Sequence, residues 1–218
     1  MYPVIRVINP NSNDAVTSGI SEALEPLRLA GGPHLECITL SDGPFGVESQ
    51  ADVSKVEPLI VDSIRADTEA SAFIIACYSD PGLALCREET DRPVFGIAEC
   101  AMLTALSRGH SFGVIAILSQ SIPRHIRHMR ERLLHNHCVG ERALELTVAE
   151  VENSNDTYEK MLKVGTELRD KDGAEVIIMG CAGMAKYREA LEKLLEVPVI
   201  DPTIAAAGMA INTVLLAN

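Results

Sequence analysis

The 218-residue chain contains no tryptophan, and phenylalanine and tyrosine supply only 4% of it. Its apolar mass, 47% of all residues, is therefore carried by Ala, Val, Ile and Leu, which is an α/β composition. Positive charge is also scarce: 19 Lys and Arg face 31 Asp and Glu, for a net charge of −12. That balance excludes a nucleic-acid binder, because phosphate backbones are held by surplus Lys and Arg, and it points to a small-molecule ligand. The longest apolar stretches are strand-sized and fall short of the ~20 residues a membrane span needs. The start, MYPVIRVINP, lacks the basic-then-apolar pattern of a secretory signal, so a cytoplasmic location is expected. None of the six cysteines stands in a CxxC or other metal-ligand spacing, so they are expected to be free thiols with no metal.

What the chain does have is regular alternation. VIRVINP is a strand-like run stopped by Pro10, and Asn11, Ser12 or Asn13 can cap a helix reaching about Leu27. LECITL is a second strand, the segment SDGPFGVESQAD is loop-like and suits a lid, and residues 53–70 form an amphipathic helix. AFIIACYSDPG follows, then a helix through Leu85 and Glu89, then PVFGIAECAMLTALSRG as a short strand with its helix. Near residue 110 the pattern restarts with HSFGVIAILSQSIP and the basic helix RHIRHMRERLLHN. A strand-like ALELTVAE, a helix around TYEKMLKVGTELRDKDG, AEVIIMGCAGM, another helix and VPVIDPTIAAAGMAINTVLLAN complete it.

The two halves can be superimposed. FIIACYSDPG matches VIIMGCAGM, and FGVIAILSQS takes the place of VIRVINPNSN. Pro93 stands sixteen positions after Cys77, and Pro198 seventeen positions after Cys181. A recurring offset at three landmarks indicates an internal duplication. Ligands of parallel α/β sheets bind beyond the carboxyl ends of the strands, where Cys77 and Cys181 both fall. Two halves packed about a pseudo-two-fold axis with those ends facing place the thiols on opposite sides of one cleft.

Each thiol precedes backbone suited to an anion: Tyr78, Ser79 and Asp80 ahead of Pro81 in the first half, Ala182, Gly183 and Met184 in the second. A nearby helix N-terminus lowers a thiol from its usual pKa of roughly 8.5, so a thiolate is expected near neutrality. Two thiols across a ligand suit one reaction: one removes a proton beside a carbonyl, the other returns a proton to the opposite face.

VINPNSN, ACYSDPGL, GIAECA and MGCAGM together resemble the hydantoin racemase group of the aspartate/glutamate racemase superfamily. The resemblance covers nearly the whole chain. It implies two pseudo-symmetric α/β domains, each a mostly parallel sheet flanked by helices, with the active-site cleft between them. The division expected is 1–97 plus 199–218 against 98–198. It further implies no cofactor, Cys77 and Cys181 as the acid/base pair, and ligand contacts from Asn11, Ser79, Asp80, Ala182 and Gly183. The implied partners are a small-molecule substrate and further copies of the chain. Where glutamate racemases carry a Thr-His pair and a first-loop acid, this chain has Ala182-Gly183 and Asn9 or Asn11. A cyclic ureide, a 5-substituted hydantoin or allantoin, is thus favoured over a free amino acid. Ala116 and Ile117 stand where the family carries a threonine pair, which makes the pocket more apolar or shifts that ligand contact to Ser119 or Gln120. The alternatives are a cysteine-dependent isomerase or decarboxylase similar to maleate isomerases or arylmalonate decarboxylases, and a two-lobed binding module whose cysteines merely pack.

Cys37, Cys86, Cys100 and Cys138 read as packing residues, with Cys138 in a loop. The basic helix, with His125 and His128 on one face, reads as a solvated or subunit-contacting surface rather than a metal site. Glu99 and Asp201 read as helix-start residues.

Overall fold

The computed structural model describes residues 2–153 and 156–217. In the first half, β1 (Val4–Asn9) runs to Pro10 and α1 (Asp14–Ala23) begins after Asn13, whose side chain accepts from the Ala15 amide at 3.1 Å. β2 (His34–Thr39) leads through the loop 40–49 to α2 (Gln50–Ala66). A reciprocal Ser49–Asp52 capping box starts that helix three residues ahead of expectation. β3 (Ala70–Ile75), α3 (Leu83–Glu89), β4 (Val94–Gly96) and α4 (Ile97–Leu106) complete the half.

The second half repeats the scheme with β5 (Phe112–Ala116), α5 (Ile122–Glu131) and β6 (Cys138–Ala143). Next come α6 (Val148–Asn153), α7 (Thr157–Asp170), β7 (Val176–Met179), α8 (Arg188–Leu195), β8 (Val199–Ile200) and α9 (Pro202–Leu216). Each half forms a four-stranded sheet, in the orders β2-β1-β3-β4 and β6-β5-β7-β8, and every strand pairing is parallel. The same order twice is the duplication expressed as topology. Its landmarks coincide in detail: Phe73 N donates to Pro93 O and Ile177 N to Pro198 O, both at 2.9 Å.

Two expectations fail around residue 143. Cys138 opens β6 instead of lying in a loop, and ALELTVAE is not a strand: after the Leu144 and Leu146 amides reach Ala116 O and Ile117 O, the chain turns into α6. The cause is a Thr147–Glu150 capping pair, in which Glu150 accepts from the Thr147 amide at 2.8 Å and Thr147 Oγ1 accepts from the Glu150 amide at 3.3 Å.

Strand side chains alternate between faces. Phe73 and Ile75 join the core beneath α2, with Ile60 and Ile64, while Ala72 and Ile74 enter a second core with Ile5 and Val7. That second core continues without a break into Ile115, Ile177 and Met179 of the other sheet. The sheets are therefore fixed to each other by apolar burial rather than by a linker. α9 crosses back to pack on α4 and β3, and α4 packs against β7. Among the described residues, no helix is long and apolar enough to cross a membrane.

Candidate active site

Both cysteines leave their strands by the same backbone device. Ala76, just before Cys77, donates its amide to Ile8 O at 2.8 Å, and Gly180, just before Cys181, donates to Ile115 O at 2.8 Å. In the second half the approach is so close that a Cβ on Gly180 would stand 2.6 Å from Ile115 O. The thiols emerge half-buried at equivalent ends of the two sheets.

Cys77 and Cys181 line one cavity of about 40 Å³. On a scale where one water needs about 10–15 Å³, it holds about three. Val16, Val47, Ile117 and Val148 provide apolar wall, and Asn11, Ser79, Ser121, Arg124 and His125 provide polar groups. Val47 lies in the loop expected to be a lid, and that loop is tied down: Glu48 Oε1 accepts from the Val148 amide at 2.8 Å, and the Ser12 amide donates to Pro44 O at 2.9 Å.

The structure sorts the anticipated ligand contacts. Asn11, Ser79 and Ala182 line the cavity with the two cysteines; Asp80, Gly183 and Ser119 do not. Asn11 is buried in a network in which its Oδ1 accepts from the Asn13 amide at 2.9 Å and from Asn9 Nδ2 at 3.1 Å, leaving Nδ2 as its donor. Asp80 turns its carboxylate away to cap α4, accepting from the Ala98 amide at 2.9 Å and the Glu99 amide at 2.8 Å, with His128 Nε2 at 3.1 Å. Gly96 makes room for this cap: a Cβ there would fall 2.3 Å from the Asp80 carboxyl carbon. Gly183 faces a more open pocket of about 300 Å³ beside α1. Ser119 sits on the short turn before α5, and Ser121 of that turn reaches the cavity in its place.

The basic helix corrects a larger expectation. Arg124, His125 and Met129 of α5 are buried, so this face is neither solvated nor free to meet another subunit. Arg124, 9% exposed, donates from Nε to Ser79 Oγ at 3.0 Å. Its outer nitrogen lies 3.5 Å from Glu48 O. His125 pairs through Nδ1 with the buried Glu141 carboxylate, and the Tyr78 ring stands edge-on to it at 5.1 Å. The sequence carried a signal for part of this: Ile122, Ile126 and Met129 mark an inward face that His125 shares.

The direction expected for the Cys77 thiol is not the one its surroundings give. Burial pushes its thiol up to about 11, against the opposing influence of the Ser79 amide and the Arg124 charge. Desolvation thus outweighs the neighbouring donors. The four other cysteines pack as expected: burial pushes Cys86 up to about 11, Cys100 and Cys138 up to about 12, and raises Cys37. Asp201 caps α9 through Oδ1, accepting from the Ile204 amide at 2.8 Å, while its buried Oδ2 has no hydrogen-bond partner. Burial raises its carboxyl to about 6.

A doubly repeated parallel α/β sheet with a cysteine at each equivalent strand end defines the racemase-like fold class. Solved structures share it: an allantoin racemase from Klebsiella pneumoniae has a TM-score of 0.93 at 30% identity, covering 99% of this chain and 89% of that one. A second, from Pseudomonas fluorescens, has a TM-score of 0.91 at 28% identity, covering 98% and 92%. A glutamate racemase from Francisella tularensis, at 0.68 and 18% identity over 99% of this chain and 82% of its own, shares the fold alone.

Residues 5–210 match the Asp/Glu/hydantoin racemase family, and the chain belongs to that family. A hydantoin racemase from Pseudomonas sp. (strain NS671) is 36% identical, covering 94% of this chain and 84% of the relative; another, from Rhizobium meliloti, is 35% identical, covering 94% and 86%. The protein is accordingly an enzyme of the isomerase class, a racemase.

Proposed function

We propose that the chain racemises a cyclic ureide, a 5-substituted hydantoin or allantoin, by proton transfer between Cys77 and Cys181 and without a cofactor. The observation that carries this reading is the placement of both thiols on one small cavity by the same strand-end hydrogen bond. The hydantoin and allantoin racemases among its relatives supply the substrate class.

The chemistry follows from what a ureide needs. The hydrogen on the ring carbon beside the carbonyl leaves as a proton to one cysteine, as thiolate. The electron pair left behind spreads onto the carbonyl oxygen, giving an enolate. The other cysteine, as thiol, returns its proton to the opposite face, and the configuration inverts. Charge on the oxygen is stabilised by donors already in place: the Asn11 amide and the Arg124 guanidinium line the same cavity. Burial favours the protonated Cys77 thiol, which suits it to give the proton. A racemase works in both directions, so each cysteine must also accept a proton in turn. The apolar wall built by Val16, Val47, Ile117 and Val148 excludes water that would otherwise quench the carbanion from either face. Ile117, where the family carries a threonine, contributes wall rather than a hydroxyl.

The test follows one enantiomer of 5-benzylhydantoin, and separately of allantoin, in D2O by optical rotation and by deuterium at the stereocentre. Loss of rotation with one deuterium in the product is the expected result. No enzyme-dependent exchange with either compound overturns the substrate class.

A further inference from the structure

The guanidinium of Arg124 belongs to no motif that marks the two cysteines. It is nine-tenths buried, yet among the described residues no carboxylate forms an ion pair with it. Its hydrogen-bond partners are the Ser79 hydroxyl at 3.0 Å and, at 3.5 Å, the Glu48 carbonyl. A buried guanidinium held only by neutral oxygens is costly unless an anion forms beside it. Ser79 stands two residues after Cys77, so the same hydrogen bond that fixes the guanidinium fixes it to the turn carrying the thiol.

We propose that Arg124 is a positioning residue for the Cys77 half of the reaction: anchored by Ser79, it supplies the fixed positive charge beside which Cys77 stands as thiolate, before that thiolate gives its electron pair to the substrate's proton and becomes a thiol. The proposal rests on the two-cysteine reading. Its logic comes from the direction problem. Cys77 must be a base for one enantiomer, and burial opposes that. The charged and titratable groups around it are few. Tyr78 and Asp80 lie on its own turn, Arg124 and His125 come from α5, and Cys181 faces it across the cavity. Asp80 disfavours the thiolate, though its carboxylate is engaged by the α4 amides and His128; the imidazole of His125 is engaged by Glu141. Arg124 is the nearby cation with no close ion-pair partner among the described residues, Glu141 and Asp52 acting on it only at longer range, and its charge favours the thiolate.

The test needs no substrate. Alkylation of the full chain by iodoacetamide is followed from pH 6 to 12, with Cys77 and Cys181 quantified separately by peptide mass spectrometry. The chains compared are the unmodified protein, Arg124→Gln, Arg124→Met and Arg124→Lys. The midpoint of each profile reports ionisation independently of how easily the reagent enters. Removing an opposite charge is expected to raise the Cys77 midpoint by about one unit or more in the Gln and Met variants. The Lys variant should return most of that shift, and Cys181 should move less than Cys77. An unmoved Cys77 midpoint in the neutral variants, or an equal shift of both cysteines, overturns the proposal. Met, uncharged and of similar length, is the variant that folds should Gln fail to. A shifted Cys77 midpoint in a protein that racemises no ureide refutes the substrate class alone. Ureide racemisation with an unmoved midpoint refutes this role of Arg124 alone.

Discussion

The turn after Cys77 and the turn after Cys181 start from the same point and then part company. Up to each thiol the halves agree to within the strand-end hydrogen bonds, Ala76 to Ile8 and Gly180 to Ile115, both 2.8 Å. Beyond it, the first turn is polar and branches outward: Ser79 holds Arg124, Asp80 holds the start of α4, and Gly82 adopts a left-handed φ of 67° to begin α3. The second turn is a compact run, Ala182–Tyr187, that opens on the small residues Ala182 and Gly183, with Ala182, Gly183 and Met184 buried. The sheets fix where the two thiols stand, and the turns distribute what makes the two sides unequal. A duplicated scaffold can therefore place two like groups symmetrically while tuning each through its own turn.

The most severe way to break this comparison is to remove either thiol. Cys77→Ser and Cys181→Ser should each lower ureide racemisation by about 10²–10⁴-fold, the usual worth of a general acid or base, as followed by optical rotation. Full activity in one variant would mean that a single cysteine suffices. Next is the close approach on one side only. Gly180→Ala forces a Cβ to within 2.6 Å of Ile115 O and should cost about 3 kcal/mol in urea unfolding. The mirror change Ala76→Gly should cost about 1 kcal/mol.

Asp201 sharpens the comparison through pH. Its folded carboxyl is raised to about 6, so the folded state binds its proton more tightly than the unfolded state does. The stability this contributes is full below the usual carboxylate pKa and is lost as pH rises through 6. Asp201→Asn keeps a capping oxygen and removes the charge. It should flatten the stability profile between about pH 4 and 6 and gain about 3 kcal/mol at pH 7, measured by thermal unfolding. The smallest effect expected is Asp80→Ala, about 1 kcal/mol for the lost α4 cap. A near-complete loss of racemisation in that variant, with the fold intact, would restore Asp80 to the ligand-binding set.

Much of the fold was legible because it is written locally. Strand-sized Val/Ile runs alternate with capped helices, and the repeat of Cys77 and Pro93 as Cys181 and Pro198 forecast one sheet order used twice. ALELTVAE misled because its alternation resembles a strand, whereas the TVAE capping signal inside it decides the matter. The lining of the shared cavity was legible at the cysteines, Asn11, Ser79 and Ala182. It was not legible where a side chain answers to a distant partner. Arg124 reaches back 45 residues to Ser79, Asp80 reaches forward 18 to Ala98, and His125 meets Glu141 16 residues on. A run of Arg and His looks solvated until the carboxylate and hydroxyl that receive it are brought in by the fold.

The hydrogen bond between Glu48 and the Val148 amide joins residues 100 positions apart, one from each half, across a chamber with space for about three waters. The ureide proposed as substrate, a ring with two carbonyls and a substituent, exceeds that space. On the proposed reaction, exchange of reactant for product would require this fastening to open and its closure would shield the carbanion, so that a single carboxylate at the α6 N-terminus would govern both admission and protection.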